Sequence, residues 1–193
     1  VTVTMPSRRE GTRKRTMRYL PGALLVCLAV VAASPVAAGS GELKPVKGAV
    51  VAGDFAAADL QGRAMRFGAL RGKVVLLNFW ATWCLPCREE MPSMERLYRA
   101  YTDKGLVVLA LSQDQASARM VQAYVDDLRV TFPVWHDRDG LVGRQYSIPG
   151  VPTSYLIGAD GRMAYRALGE YDWSGPEARA AVEALLGAAG RSQ

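Results

Sequence analysis

The chain has 193 residues, half of them hydrophobic, with 24 Lys and Arg against 18 Asp and Glu. Six of those cations, Arg8, Arg9, Arg13, Lys14, Arg15 and Arg18, fall in residues 1–38 against Glu10 alone, leaving eighteen cations to seventeen anions elsewhere. The basic excess thus belongs to one end of the chain, and nucleic-acid binding by the remainder has no electrostatic footing.

The basic stretch precedes an apolar run, Ala23 to Ala33, and then the small residues Ser34 to Gly39. This is the order of a secretory signal peptide, and cleavage after Ala38 would leave Val36 and Ala38 at the −3 and −1 sites. The alternative is an uncleaved anchor over Tyr19 to Ala38, a span interrupted by Pro21, Gly22 and Pro35. Met17-Arg18-Tyr19-Leu20 would begin such a leader by itself. Arg8-Arg9 lacks the apolar residues a twin-arginine signal needs, because Glu10-Gly11 follow. Leu25-Val26-Cys27 has too bulky a residue before its cysteine for a lipoprotein box, so Cys27 goes with the leader. The expected organisation is a signal peptide or anchor at 1–38, a flexible linker at 39–47 and one domain at 48–190.

Within that domain, residues 55–60 and 64–67 flank Gln61-Gly62-Arg63 as a hairpin, followed by a helical turn at 68–71. Val74 to Trp80 is a continuous apolar run and predicts a buried strand. Arg88 to Tyr101 predicts a helix, with Met91, Met94, Leu97, Tyr98 and Tyr101 on one face and Pro92 inside it. Leu106 to Leu111 is a second buried strand, 116–128 an amphipathic helix, 132–135 a short strand and 141–146 a helical turn. Residues 153–157 and 162–167 flank Gly158-Ala159-Asp160-Gly161 as a second hairpin. Ser174 is the expected cap of a last helix over 176–186. Strands alternating with helices give an α/β fold with a mixed central sheet covered on both faces.

Between the first buried strand and its helix stands Trp83-Cys84-Leu85-Pro86-Cys87. The first cysteine of such a pair sits at a helix N-terminus, where unpaired N–H groups and the macrodipole favour thiolate over thiol. The second, three residues on, is close enough to close a disulfide within the first turn, and Pro86 needs no N–H there. Half a zinc site would need ligands from Cys27 and His136, the only other candidates, and an inert staple would constrain little chain. Redox chemistry is therefore the expectation, with no metal.

The run Asn78-Phe79-Trp80-Ala81-Thr82-Trp83-Cys84-Leu85-Pro86-Cys87-Arg88-Glu89-Glu90-Met91-Pro92, with Gly150-Val151-Pro152-Thr153-Ser154-Tyr155-Leu156-Ile157, resembles the TlpA/ResA-like thiol:disulfide reductases of the thioredoxin-fold superfamily. The resemblance spans about residues 48–187 and includes the helix and strand at 115–135, which match this group's central α-β insertion; the hairpin at 55–67 is the N-terminal hairpin of the expected thioredoxin-like fold. It implies that Cys84 is the attacking sulfur, Cys87 the buried resolving one, and Pro152 the residue after a cis peptide bond. It places the backbone of Val151 beside the cysteines, able to pair with a substrate strand, with Trp83, Pro86 and Thr153 as further substrate-binding positions. Classical thioredoxins carry a buried acid where Asn78 stands; in this group the acid corresponds to Glu90, which would exchange a proton with Cys87. Glu89 reads as solvated, Trp80 as core, His136 as structural or surface, and Arg88 as a charge near the pair.

What the resemblance implies is an extracytoplasmic or periplasmic reductase of cysteine-containing proteins, serving cytochrome c maturation or copper-site assembly of respiratory oxidases. Its electrons would come from an integral membrane thiol carrier. No cofactor is expected beyond the Cys84–Cys87 disulfide, and no nucleic acid. Thr153, in place of the acid frequent after the cis-proline in the cytochrome branch, favours a TlpA-like role. The alternatives are a disulfide-forming oxidant, which redox potential would separate, and a thioredoxin-fold copper chaperone, whose cysteines stand one residue further apart. A peroxidase would need a Thr-x-x-Cys site that the chain lacks.

Overall fold

The computed structural model describes residues 41–191 and, apart from them, Thr2. Of the two units into which the chain divides, Val1–Val36 and Ala37–Gln193, the second carries every element below. Apart from Thr2, the leader expected at 1–38, including Cys27, lies outside the described residues. No helix among the described residues is long and apolar enough to cross a membrane.

In chain order the elements are β1 (Lys44–Pro45), β2 (Ala56–Asp59), β3 (Ala64–Arg66), a 3₁₀ turn (Phe67–Leu70), β4 (Val74–Trp80) and α1 (Leu85–Tyr101). A second 3₁₀ turn (Thr102–Lys104) precedes β5 (Leu106–Ser112), α2 (Ala118–Leu128), β6 (Val134–His136) and α3 (Leu141–Gln145). The chain ends in β7 (Thr153–Ile157), β8 (Met163–Leu168) and α4 (Pro176–Gly190). One sheet orders the strands β1-β8-β7-β4-β5-β6-β2-β3. The pairs β4·β5 and β5·β6 are parallel and the others antiparallel, so the sheet is mixed, as expected.

The two apolar runs became the central strands because both faces there are covered. Successive side chains of β4 divide between two cores. Val74, Leu76 and Trp80 join Met91, Met94 and Leu97 of α1, while Val75, Leu77 and Phe79 join Phe55, Trp135, Tyr146 and Tyr155 on the other face. Asn78, between Leu76 and Trp80 in this alternation, therefore faces α1, and that is what brings it to the site. The first hairpin closes through Gly62 N–H to Asp59 C=O at 3.0 Å, with Gly62 at φ +82°, and docks on β6 through Ala58 and Asp59.

Three local expectations need correction. The linker at 39–47 is part of the sheet from its middle onward: Lys44 and Pro45 pair with Arg166 and Tyr165, Leu43 is only 4% exposed, and Gly41 N–H donates to Glu170 C=O. The open edge of β8 offers a ladder to any extended segment, and one buried leucine leaves no periodicity to read. Helix α1 begins at Leu85, because Cys84 itself is the cap. Helix α4 is preceded by Gly175 without a side-chain cap, and Ser174 Oγ instead donates to Asp172 at 2.6 Å.

Candidate active site

Strand β4 runs into the redox pair and then into α1. Cys84 and Cys87 are joined by a disulfide, with Cys84 5% exposed and Cys87 fully buried. Cys84 is the N-cap of α1 in an extended conformation, and its Sγ accepts the Cys87 backbone N–H at 3.3 Å. Pro86 lies in the first helical turn, where its missing N–H costs nothing. The helix continues through Pro92, and Ser93 Oγ donates to Glu90 C=O at 2.7 Å. The Cys84 sulfur, at a helix N-terminus, has N–H dipoles directed at it.

Glu90 stands three residues beyond Cys87 on the same helix face and is 2% exposed. Its Oε1 accepts Asn78 Nδ2–H at 2.7 Å and its Oε2 accepts the Tyr171 backbone N–H at 3.2 Å. Asn78 Nδ2 also donates to Ser154 Oγ at 2.9 Å, while Asn78 Oδ1 is buried without a partner. Burial pushes the Glu90 carboxyl up to about 8, against the lowering pull of the Tyr171 N–H and Asn78 amide. The buried Trp173 indole nitrogen has no partner at hydrogen-bonding geometry, so its N–H acts on the carboxylate as a dipole. Glu170 adds repulsion to Glu90 and is itself held above the usual carboxylate value by burial and by the neighbouring Glu89 carboxylate. The acid beside the pair is therefore mostly protonated at neutral pH.

Pro152 follows a cis peptide bond. Thr153 pairs with Phe79, near the end of β4, so the Val151–Pro152 segment lies at the end of the sheet where the redox loop begins. Pro152 C=O accepts Gly169 N–H at 3.0 Å. Neither backbone group of Val151 has a hydrogen bond among the described residues, which leaves both open to an incoming strand. Thr153 does not fit its expected substrate-binding place: it is 1% exposed, its Oγ1 donates to Gly150 C=O at 2.7 Å, and its backbone pairs on both sides. A central strand has no free edge to offer.

Trp83 and Leu85, 71% and 64% exposed, bracket Cys84 as an apolar rim, with the exposed Pro86 beside them. Leu85 is one residue that sequence reasoning missed, although its place inside the cysteine pair was the signal. Trp80 is buried and stacks on Tyr124 at 5.8 Å. Arg88 turns toward α2, 3.8 Å from Asp127 and over the Tyr124 ring. His136 is structural: its Nε2 lies 2.7 Å from Asp114 C=O, so that nitrogen carries the proton and donates. Among the described residues no three His, Cys, Asp or Glu side chains converge as a metal site would. A cavity of about 700 Å³, lined by Lys44, Val51, Tyr146, Tyr155, Met163 and Arg166 among others, includes neither cysteine.

The profile of the AhpC/TSA family matches residues 49–166. The chain is 40% identical over 117 residues to a thiol-disulfide oxidoreductase ResA of Bacillus cereus, covering 61% of this chain and 67% of that protein. It is 40% identical over 109 residues to the thioredoxin-like protein YneN of Bacillus subtilis (strain 168), covering 56% and 64%. Among solved structures, a secreted disulfide oxidoreductase of Mycobacterium tuberculosis homologous to E. coli DsbE superposes with a TM-score of 0.60 at 27% identity, over 68% of this chain and 96% of that one. A thiol:disulfide interchange protein of the thioredoxin family from Chlorobium tepidum TLS gives 0.63 at 25% identity, over 73% and 99%. With the buried Cys84–Cys87 disulfide at the head of α1, these matches identify the chain as a member of the AhpC/TSA family, a ResA-like thiol-disulfide oxidoreductase of thioredoxin fold.

Proposed function

We propose that the protein works as a reductase of disulfides in partner proteins outside the cytoplasm. In the reduced enzyme the Cys84 thiolate attacks one sulfur of a substrate disulfide, forming a mixed disulfide and releasing a substrate thiolate, which takes up a proton. Cys87 gives its proton to the Glu90 carboxylate and attacks Cys84 Sγ, closing the Cys84–Cys87 bond and releasing the second substrate thiolate. Two electrons pass from the cysteine pair to the substrate. On re-reduction a donor dithiol attacks Cys84 Sγ, and the departing Cys87 thiolate receives the proton that Glu90 has held. An acid near 8 suits both directions at neutral pH, since neither its protonated nor its ionised form is rare.

Substrate binding rests on the apolar rim of Trp83, Leu85 and Pro86 and on a strand paired with the Val151 backbone. The donor is an integral membrane thiol carrier, and the physiological setting is cytochrome c maturation or copper-site assembly of respiratory oxidases. The supporting arguments are the basic-apolar-small leader in the sequence and the likeness to ResA. The observation that carries the reading is the asymmetry of the pair: Cys84 at the helix cap beside an exposed rim, and Cys87 sealed beneath it with a protonatable acid on its own face. The test is a trap. Cys87→Ser should accumulate mixed disulfides through Cys84, identified by mass after acid quenching, and Cys84→Ser should accumulate none. Trapping through Cys87 instead would reject the assignment of roles.

A further inference from the structure

The loop 81–83, between β4 and Cys84, is held by one side chain from outside the redox motif. Asp114, just beyond β5, accepts Thr82 Oγ1–H at 2.6 Å and Thr82 N–H at 3.2 Å on Oδ1, and the same N–H at 3.0 Å on Oδ2. Its Oδ2 also accepts Ser112 Oγ–H at 2.8 Å. The carboxyl is 1% exposed and forms no ion pair among the described residues, so these donors are its whole compensation for leaving water. Its own backbone is fixed in turn: Asp114 C=O is held by His136 Nε2, Gln113 N–H donates to Trp80 C=O at 2.8 Å, and Asp137 N–H donates to Ser112 C=O at 2.8 Å.

We infer that Asp114 is a positioning residue of the redox centre, clamping Thr82 so that Cys84 stays over the N-terminus of α1. A buried acceptor of this kind makes loop movement expensive, because any shift of Thr82 leaves oxygens of Asp114 unpaired. Cys84 is two residues further on, with its N–H on Ala81 C=O at 3.1 Å and its sulfur on the Cys87 N–H. The helix-terminal field that favours its thiolate fades within a turn, so small displacements of the sulfur change its acidity. The clamp is built from the ends of β5 and β6, which ties the insertion that supplies β6 to the reactivity of the cysteine. This inference rests on Cys84 being the attacking thiol.

The test is the pH profile of iodoacetamide alkylation of Cys84 in the reduced full chain, compared across Asp114→Ala, Asp114→Asn and Thr82→Ala. Loss of the clamp in D114A should lower the neutral-pH rate about tenfold and leave the high-pH plateau unchanged, because only the thiolate fraction falls. D114N keeps an acceptor for Thr82 without the charge and should stay within about twofold of the parent; T82A, keeping its N–H bond, should fall between. Should D114A fail to fold by circular dichroism, T82A carries the same test. A folded D114A or T82A with the parent profile overturns the inference, as does a D114N profile matching D114A, which would make charge the agent. A parent Cys84 that titrates as an ordinary thiol overturns the reading of Cys84 itself, whatever the variants do.

Discussion

Replacing Glu90 by Gln should change how stability depends on pH. The folded protein holds this carboxyl near 8, against 4.5 for the free group, chiefly through burial. The unfolded chain therefore gives up its proton at ordinary carboxyl pH while the folded one retains it. Stability from this group is complete below about 4.5, falls as pH rises, and levels off above about 8. At about 1.4 kcal/mol for each tenfold change in proton affinity, the full loss is roughly 4–5 kcal/mol. Gln has no such loss. It offers one oxygen and one NH₂ where two donors, Asn78 Nδ2–H and Tyr171 N–H, now find two oxygens, a cost of about 1–3 kcal/mol. At pH 5 the variant should be the less stable protein, and by pH 8 to 9 the more stable one. Urea unfolding of the oxidised forms at steps from pH 5 to 9, at fixed ionic strength, measures the crossing. A constant gap between the two curves would refute the burial argument.

Leu43→Ala should cost about 2–3 kcal/mol in urea unfolding, the ordinary loss for a buried leucine, because this residue sits in the core rather than in a linker. A change near zero would restore the flexible start. Trp83→Ala should leave stability within about 0.5 kcal/mol, since the ring is mostly solvent-exposed. It should slow reduction of a protein disulfide several-fold more than reduction of a small aromatic disulfide; equal slowing would mean that Trp83 acts on the sulfur rather than on docking.

The parts of the fold legible in the sequence were those with a strong local signal. Val74–Trp80 and Leu106–Leu111 announced themselves as strands covered on both faces, and Cys-x-x-Cys at a strand-to-helix junction marked the site. Pro152 was legible only through resemblance, since a proline in a loop has many ordinary reasons to be there. Glu90 could be placed on the right helix face, but its burial comes from Asn78 and from residues 171–173, the latter some eighty positions away. Asp114 escaped notice because its partner Thr82 is 32 residues distant. The usable signal was Ser112-Gln113-Asp114, polar residues at the C-terminal end of a parallel strand, where α/β proteins build their sites. Thr153 misled in the opposite way: a position adjacent to a functional residue in sequence need not share its exposure.

In the proposed function this cysteine pair gives electrons to other disulfides. The reduction potential of the full chain, equilibrated against defined thiol buffers and read by alkylation and mass, tests it most directly. A reductase should show a value near the thioredoxin range of about −270 mV, or modestly above it. A value near −120 mV, where disulfide donors work, would contradict it and make the protein an oxidant.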